Sequence, residues 1–274
     1  MTVQTALQAG QKRLERAGVA APRLTAEVLL AHALERDRSW LYGHSDEKLA
    51  TSTRLRYEAF LEERAAGLPT QYITGKQEFW GREFRLSRSV LIPRPESEHV
   101  IEVALRRAPQ AEQILDVGCG SGILAVTLAL ELHTRVLAVD LSPAALHLTR
   151  ENASLHRARV SVFQGDLLTA VHPASLDLIV SNPPYVAEGE RDSLPAEVVH
   201  HEPALALFAG PTGLEVYQRL IPQAWQALRP GGLVILELGH RSLEPVRRLL
   251  ADWRDIEVEP DLAGLQRVIS ARRP

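Results

Sequence analysis

The sequence predicts an α/β protein, a doubly wound, mostly parallel seven-stranded sheet preceded by a small helical bundle. Three observations carry that prediction. From about residue 112 onward, short apolar runs alternate with stretches of helical periodicity, the pattern of strands joined by right-handed crossovers. A glycine cluster, Gly118 to Gly122, stands at the first strand-to-helix turn, and acids stand at the next strand ends. The first 75 residues, by contrast, show helical spacing only.

In that leading segment Ala26, Leu29, Leu30, Ala33 and Leu34 recur at helical intervals, as do Tyr57, Phe60 and Leu61. Pro22 and Asp46 are placed to begin helices, and Gly67-Leu68-Pro69 to stop one. Residues 76–95 form a bridge in which Phe79, Trp80, Phe84 and Leu86 flank Gly81-Arg82, predicting a β-hairpin that turns at the glycine. After Pro95 a helix is expected through Val100, Ile101 and Leu105. The chain therefore divides into a helical segment (1–75), a hairpin linker (76–95) and a sheet domain (96–274).

Five apolar runs supply the parallel strands: ILDV, RVLAVD, RVSVFQGD, LDLIVSNPPY and RPGGLVILELG. Two more candidates follow at 255–258 and 267–270. No helix of useful length fits between those two, so the last strand is expected to run antiparallel.

Composition narrows the function classes. The formal net charge of -3 gives no overall positive field to recruit nucleic acid. Cys119 is the single cysteine, which rules out an intramolecular disulfide and favours a reducing, cytoplasmic setting. No run is long and apolar enough for a membrane span, and the start lacks the apolar core of a signal peptide.

The glycine turn reads as a cofactor site. In Asp116-Val117-Gly118-Cys119-Gly120-Ser121-Gly122 the spacing is G-x-G-x-G, not the G-x-G-x-x-G of dinucleotide folds. Asp116 precedes the first glycine, and Asp140 ends the next strand, where a carboxylate can accept both ribose hydroxyls. Asp166 ends the third strand, placed to receive an adenine amino group. This stretch resembles the class I, Rossmann-like S-adenosylmethionine-dependent methyltransferases. In that family the glycine loop holds the methionine part of the cofactor, the second acid the ribose and the third strand end the adenine. Cys119 reads as a small loop residue, since no basic neighbour in sequence would activate it as a nucleophile.

Ser181-Asn182-Pro183-Pro184-Tyr185, at the end of the fourth strand, carries the substrate chemistry. A nitrogen attached to a π system is a poor nucleophile and must be aimed in line with the carbon–sulfur bond. The Asn182 side-chain oxygen and the Pro183 carbonyl can each accept one NH₂ hydrogen and stabilise the developing positive charge. Pro184 keeps the loop extended without an N–H, and Tyr185 offers a flat face to a planar group. The motif alone leaves open adenine-N6, guanine-N2 and glutamine-N5 as the methylated nitrogen.

Four further stretches, QYITGKQEFWG, VLIPRPESEHVIE, EPALALFAGPTGLEVY and DLAGLQRVI, resemble the release factor glutamine methyltransferase family known as PrmC or HemK. The resemblance runs from about Gln71 onward. It implies methylation of the glutamine in the Gly-Gly-Gln motif of peptide chain release factors, with the helical segment gripping that protein partner. It also implies that Asn182 to Tyr185 bind the glutamine, Gly118 to Gly122 with Asp140 bind the cofactor, and Leu167 lies at the adenine. The chain departs from the family pattern at Ser97, Leu167 and Thr212, where threonine, an aromatic and aspartate are usual, and near Ser242, where a glutamine is usual. Arg94 and Glu96 either form a surface ion pair or line a substrate groove between the domains. His200, His201 and Glu202 lack the further ligands of a metal site, and His201-Glu202-Pro203 is expected to shape a loop over the pocket. A nucleic-acid adenine methyltransferase, a glutamine methyltransferase acting on a ribosomal protein and a non-catalytic cofactor-binding scaffold are the competing readings.

Overall fold

The computed structural model describes residues 1–261 and 263–274. Leu262, inside the DLAGLQRVI stretch, lies outside the described residues. Two compact units divide the chain, Met1–Lys76 with Ala196–His201, and Gln77–Pro195 with Glu202–Pro274.

The first unit holds α1 (Val3–Arg16), α2 (Pro22–Leu34), α3 (Arg38–Gly43), α4 (Thr51–Ala65) and α5 (Thr70–Thr74). Val3, Leu14, Leu29, Leu30, Tyr57 and Leu61 form its buried core. Pro22 opens α2 at a first-turn position, where its missing N–H costs nothing. Asp46 does not open a helix, contrary to the sequence expectation: it lies in a turn, and the helix starts at Thr51. The segment around it has another task. The carbonyls of Glu47 and Ser45 accept the backbone N–H groups of Val3 and Gln4, at 3.0 and 2.9 Å, which satisfies the otherwise orphaned donors of the first turn of α1.

The chain continues through a hairpin, β1 (Lys76–Phe79) and β2 (Arg82–Arg85), then a 3₁₀ turn at Pro95–Ser97 leading into α6 (Glu98–Arg107). The sheet domain follows as β3 (Ile114–Val117), α7 (Ile123–Glu131), β4 (Val136–Asp140), α8 (Pro143–Leu155), β5 (Val160–Gln164) and β6 (Leu176–Ser181). Next come β7 (Val186–Ala187), α9 (Ala196–His201, part of the first unit), α10 (Ala204–Leu207) and β8 (Phe208–Gly210). The chain ends with α11 (Glu215–Ala227), β9 (Leu228–Glu237), α12 (Leu243–Leu249), β10 (Arg254–Pro260) and β11 (Gln266–Arg272).

The seven strands lie in the order β10-β11-β9-β6-β3-β4-β5. The pairs from β9 to β5 are parallel, while β11 runs antiparallel to both its neighbours, as the sequence predicts. Both faces are buried, and the side chains alternate between them. Ile114, Leu178, Val180, Leu233 and Ile235 join Phe79, Phe84 and α6–α8 on one face. Leu115, Ile179, Val234 and Leu236 join α11 and α12 on the other. Continuous apolar runs are what a doubly covered parallel sheet requires.

Several short features have no sequence forecast, among them α9, α10, the seven-residue α12 and the parallel pair of β7 with β8. All are too short to show a period. One boundary also differs: the third strand stops at Gln164, so Asp166 stands two residues beyond it.

Asn152 on α8 ties the hairpin to the glycine turn. Wholly buried, it donates through Nδ2 to the Ser121 and Arg85 carbonyls at 2.8 and 3.0 Å and accepts from the Arg85 N–H at 2.8 Å. Asn152→Ala leaves those backbone groups unpaired and is expected to cost about 2–4 kcal/mol. Urea unfolding should show the lower midpoint, and an unchanged midpoint would deny Asn152 this role.

Candidate active site

Parallel register brings the chemistry to one edge. Asp116 pairs with Ala138 and with Val180, and Ser181 pairs with Leu236. The carboxyl ends of β4, β3, β6 and β9 therefore finish side by side: β4 and β9 end in Asp140 and Glu237, β3 leads into the glycine turn and β6 into Asn182. A cavity of about 430 Å³ opens there, lined among others by Gly118, Gly120, Asp140, Leu167 and Asn182.

The glycine turn is built to hug α8. Gly118 and Cys119 donate to the Val139 carbonyl at 2.8 and 3.1 Å, and Gly122 closes the turn onto the Cys119 carbonyl at 2.7 Å. Gly122 has φ +81°, and an added Cβ would stand 2.8 Å from Thr149 Cγ2 and 3.2 Å from Thr149 Cα, so only glycine fits. Thr149 in turn donates to the Gly120 carbonyl at 3.0 Å. Cys119 is buried with its Sγ 3.3 Å from Thr149 Oγ1. Burial, reinforced by Asp116, pushes its thiol well above the ordinary range, so no thiolate forms near neutral pH.

The two acids of the turn have different surroundings. Asp140 accepts from the N–H groups of Gly120 and Ser142, both at 2.9 Å, one on each oxygen. Each oxygen keeps a lone pair for a ligand. Asp116 is 1% exposed, accepts from the Ala125 N–H at 3.1 Å through Oδ2, and has no partner for Oδ1 among the described residues. Burial, helped by the charge of Asp140 and opposed by the Ala125 N–H, raises its carboxyl to about 7. An unpartnered buried carboxylate oxygen on the wall of a cavity suits a cationic ligand group. Asp166 is half-exposed and its Oδ2 lies 2.5 Å from Arg219 Nη2. Leu167 beside it has φ +52°, and Leu168 is anchored through its N–H to Gln223 at 2.9 Å.

Asn182 donates through Nδ2 to Ser97 Oγ at 3.1 Å, and Ser97 donates to Glu237 Oε2 at 2.5 Å. Pro184 shares the cavity wall, whereas Pro183 is buried and does not line it. Tyr185 is not on the cavity wall: it is partly buried against the core that the sheet shares with α11 and α12. It packs so close to Gly239 that a Cβ there would stand 2.7 Å from its ring.

Arg94 and Glu96 do not pair with each other. Arg94 bonds instead to Glu202, whose other oxygen accepts the Ile92 N–H at 3.1 Å. Glu202 is buried, so the pair is a fixed strut. Pro93 on one side of that strut and Pro203 on the other both line the cavity, which gives the expected loop-shaping role of Glu202 a physical form.

Sequence reasoning missed Glu237, Asn152, Thr149 and Arg219. Glu237 left a usable signal: an acid closing the apolar run LVILE, at the same level as the ends of three strands already singled out. Asn152 and Thr149 lie inside a helix and signal nothing in one dimension.

Comparison with known proteins places this geometry. Residues 5–75 match the PrmC N-terminal domain, and residues 98–210 match the methyltransferase small domain. The chain is similar to the release factor glutamine methyltransferase of Koribacter versatilis, 44% identical over 100% of this chain and 99% of the relative. It is 42% identical to that of Moorella thermoacetica over the same shares of the two chains. Among solved structures, a methyltransferase from Pyrococcus furiosus aligns at TM-score 0.54 and 17% identity, covering 71% of this chain and 90% of that one. The T. thermophilus 16S rRNA methyltransferase RsmC, in complex with AdoMet and guanosine, aligns at TM-score 0.53 and 21% identity, covering 73% and 50%. These structural likenesses establish a class I methyltransferase fold. The full-length relatives establish more: this chain belongs to the release factor glutamine methyltransferase family.

Proposed function

We propose that the chain transfers the methyl group of S-adenosylmethionine to the side-chain amide nitrogen of the glutamine in the Gly-Gly-Gln motif of peptide chain release factors. The observation that carries this reading is Asn182 and Asp140 on the walls of one cavity beside the glycine turn, in a chain whose full-length relatives bear that activity in their names. When bound, S-adenosylmethionine supplies an electrophilic methyl group on a cationic sulfur.

The residues present fit such a ligand. The free lone pairs of Asp140 accept the ribose hydroxyls, and the unpartnered Oδ1 of Asp116 suits the cationic amino group above the glycine turn. Leu167 packs against the adenine, and the Asp166 oxygen that Arg219 leaves open receives its amino group. Asn182 Oδ1 and the Pro183 carbonyl accept the two hydrogens of the glutamine NH₂, aiming the nitrogen and stabilising it as it becomes cationic. Pro184 keeps the loop extended, Tyr185 braces that loop from the core it packs against, and Arg94 with Glu96 contacts the substrate backbone. The helical first unit docks the release factor, in the cytoplasm where translation runs.

The experiment is radiolabelled methyl transfer to intact release factor, ribosomal subunits, DNA and a free Gly-Gly-Gln peptide side by side. Label should enter release factor and, less efficiently, the peptide. Preferential labelling of ribosomal protein or DNA would overturn the proposal.

Asp140→Ala should weaken S-adenosylmethionine binding by about 1.5–3 kcal/mol, the worth of charge-assisted hydrogen bonds. Calorimetry on the folded variant reads this directly, and unchanged affinity would sink the ribose assignment.

Asn182→Ala should lower kcat by roughly 10²–10³ while cofactor affinity holds, because the lost contact tightens only in the transition state. Asn182→Asp keeps an acceptor and should retain partial activity. Single-turnover transfer within twofold of wild type in Asn182→Ala would mean that Asn182 only shapes the loop.

A further inference from the structure

We infer that Ser97 and Glu237 form a positioning relay that sets which way the Asn182 amide points, and so whether it presents an acceptor or a donor to the substrate nitrogen. The inference rests on the proposed role of Asn182.

An asparagine amide has nearly the same shape either way round, so only its hydrogen-bond partners choose its orientation. With the oxygen toward the substrate, Asn182 accepts an NH₂ hydrogen. Flipped, it points its own NH₂ at another NH₂, and the aim of the substrate nitrogen is lost. The choice is made at Ser97, whose hydroxyl has one proton. Glu237 Oε2, 2.5 Å away, takes that proton, which leaves Ser97 only lone pairs to offer Asn182. Asn182 must then donate Nδ2, as it does at 3.1 Å, and its oxygen faces the other way. Ser97 and Glu237 are 0% and 2% exposed, so bulk water cannot substitute for either partner.

A carboxylate buried between Leu236 and Leu238 is costly, and an apolar residue would serve the sheet better. Charged and titratable groups face it from each neighbouring element. Arg267 on β11 and Arg94 before α6 favour the ionised form, and Glu96 beside Arg94 opposes it. Tyr185 beyond β6 and Tyr217 on α11 are close enough to feel its charge, and the Tyr217 hydroxyl donates to the Glu237 backbone carbonyl at 2.6 Å. Burial outweighs the favourable partners and raises the carboxyl to about 7. Below that pH the protonated acid can itself donate to Ser97, which frees the serine proton for the Asn182 oxygen. The amide then loses its bias, so activity should fall as pH drops through the neutral range.

The test is steady-state methylation of intact release factor by the full chain, with pH profiles of kcat/KM, which report the free enzyme. S97A should lower kcat about tenfold with both KM values within about twofold, the mark of a contact felt in the chemical step. S97T, which keeps the hydroxyl, should stay within about twofold of wild type. E237Q should flatten the acid side of the profile, and S97A/E237Q should be no slower than S97A alone, since both act through one path. Asp116 titrates in a similar range and remains in every variant, so the comparison between profiles isolates Glu237. S97A at wild-type kcat beside a crippled N182A would overturn the relay and leave the catalytic reading standing. An E237Q profile superimposable on wild type would do the same. An N182A enzyme with wild-type kcat would overturn both.

Discussion

The site depends on one constraint, the parallel register that ends β4, β3, β6 and β9 at a common edge. Hydrogen bonding along those strands leaves no freedom in where Asp140, the glycine turn, Asn182 and Glu237 emerge. A one-residue slip would turn every side chain to the opposite face and expose both cores. The sheet thus fixes the spacing between the proposed cofactor and substrate elements more tightly than any loop contact could. The loops then need only short anchors: Asn152 for the glycine turn, Glu202 for the segment around Arg94, Ser97 for Asn182.

Two carboxyls at this edge, Asp116 and Glu237, are held by burial near 7 in place of the usual 4. Both are acids with raised pKa, so the folded state binds more protons than the unfolded chain between roughly pH 4 and 7, and the stability they allow falls as pH rises through that window. A cationic ligand would favour the ionised form of each, because an opposite charge offsets the loss of water. The fold places this cost at the functional edge.

Much of this was legible in the sequence, and the limits have physical causes. The alternating runs, the antiparallel final strand, the hairpin turn and the Asn-Pro-Pro-Tyr position follow from periodicity and turn chemistry that one dimension records. Asp46 misled because a polar residue in a turn can serve another element, and here Ser45 and Glu47 cap α1. Arg94 and Glu96 left a local ion pair or a place in the substrate groove open, and the local pair does not form, because Arg94 reaches a glutamate 108 positions away. Ser97 was visible only as a departure from its relatives, and Glu237 only as an acid in an apolar run. Their meeting at 2.5 Å is a product of the register. Periodicity foretells elements, and partners across the sheet appear only once it is folded.

The proposed role of Asn182 is to aim the glutamine nitrogen through an acceptor oxygen. The most direct measurement is a structure of the chain with S-adenosylhomocysteine and a Gly-Gly-Gln peptide. The glutamine amide nitrogen should lie about 2.9 Å from both Asn182 Oδ1 and the Pro183 carbonyl, with Ser97 still bridging Asn182 to Glu237. A glutamine amide turned away from Asn182, or held by other groups, would contradict it.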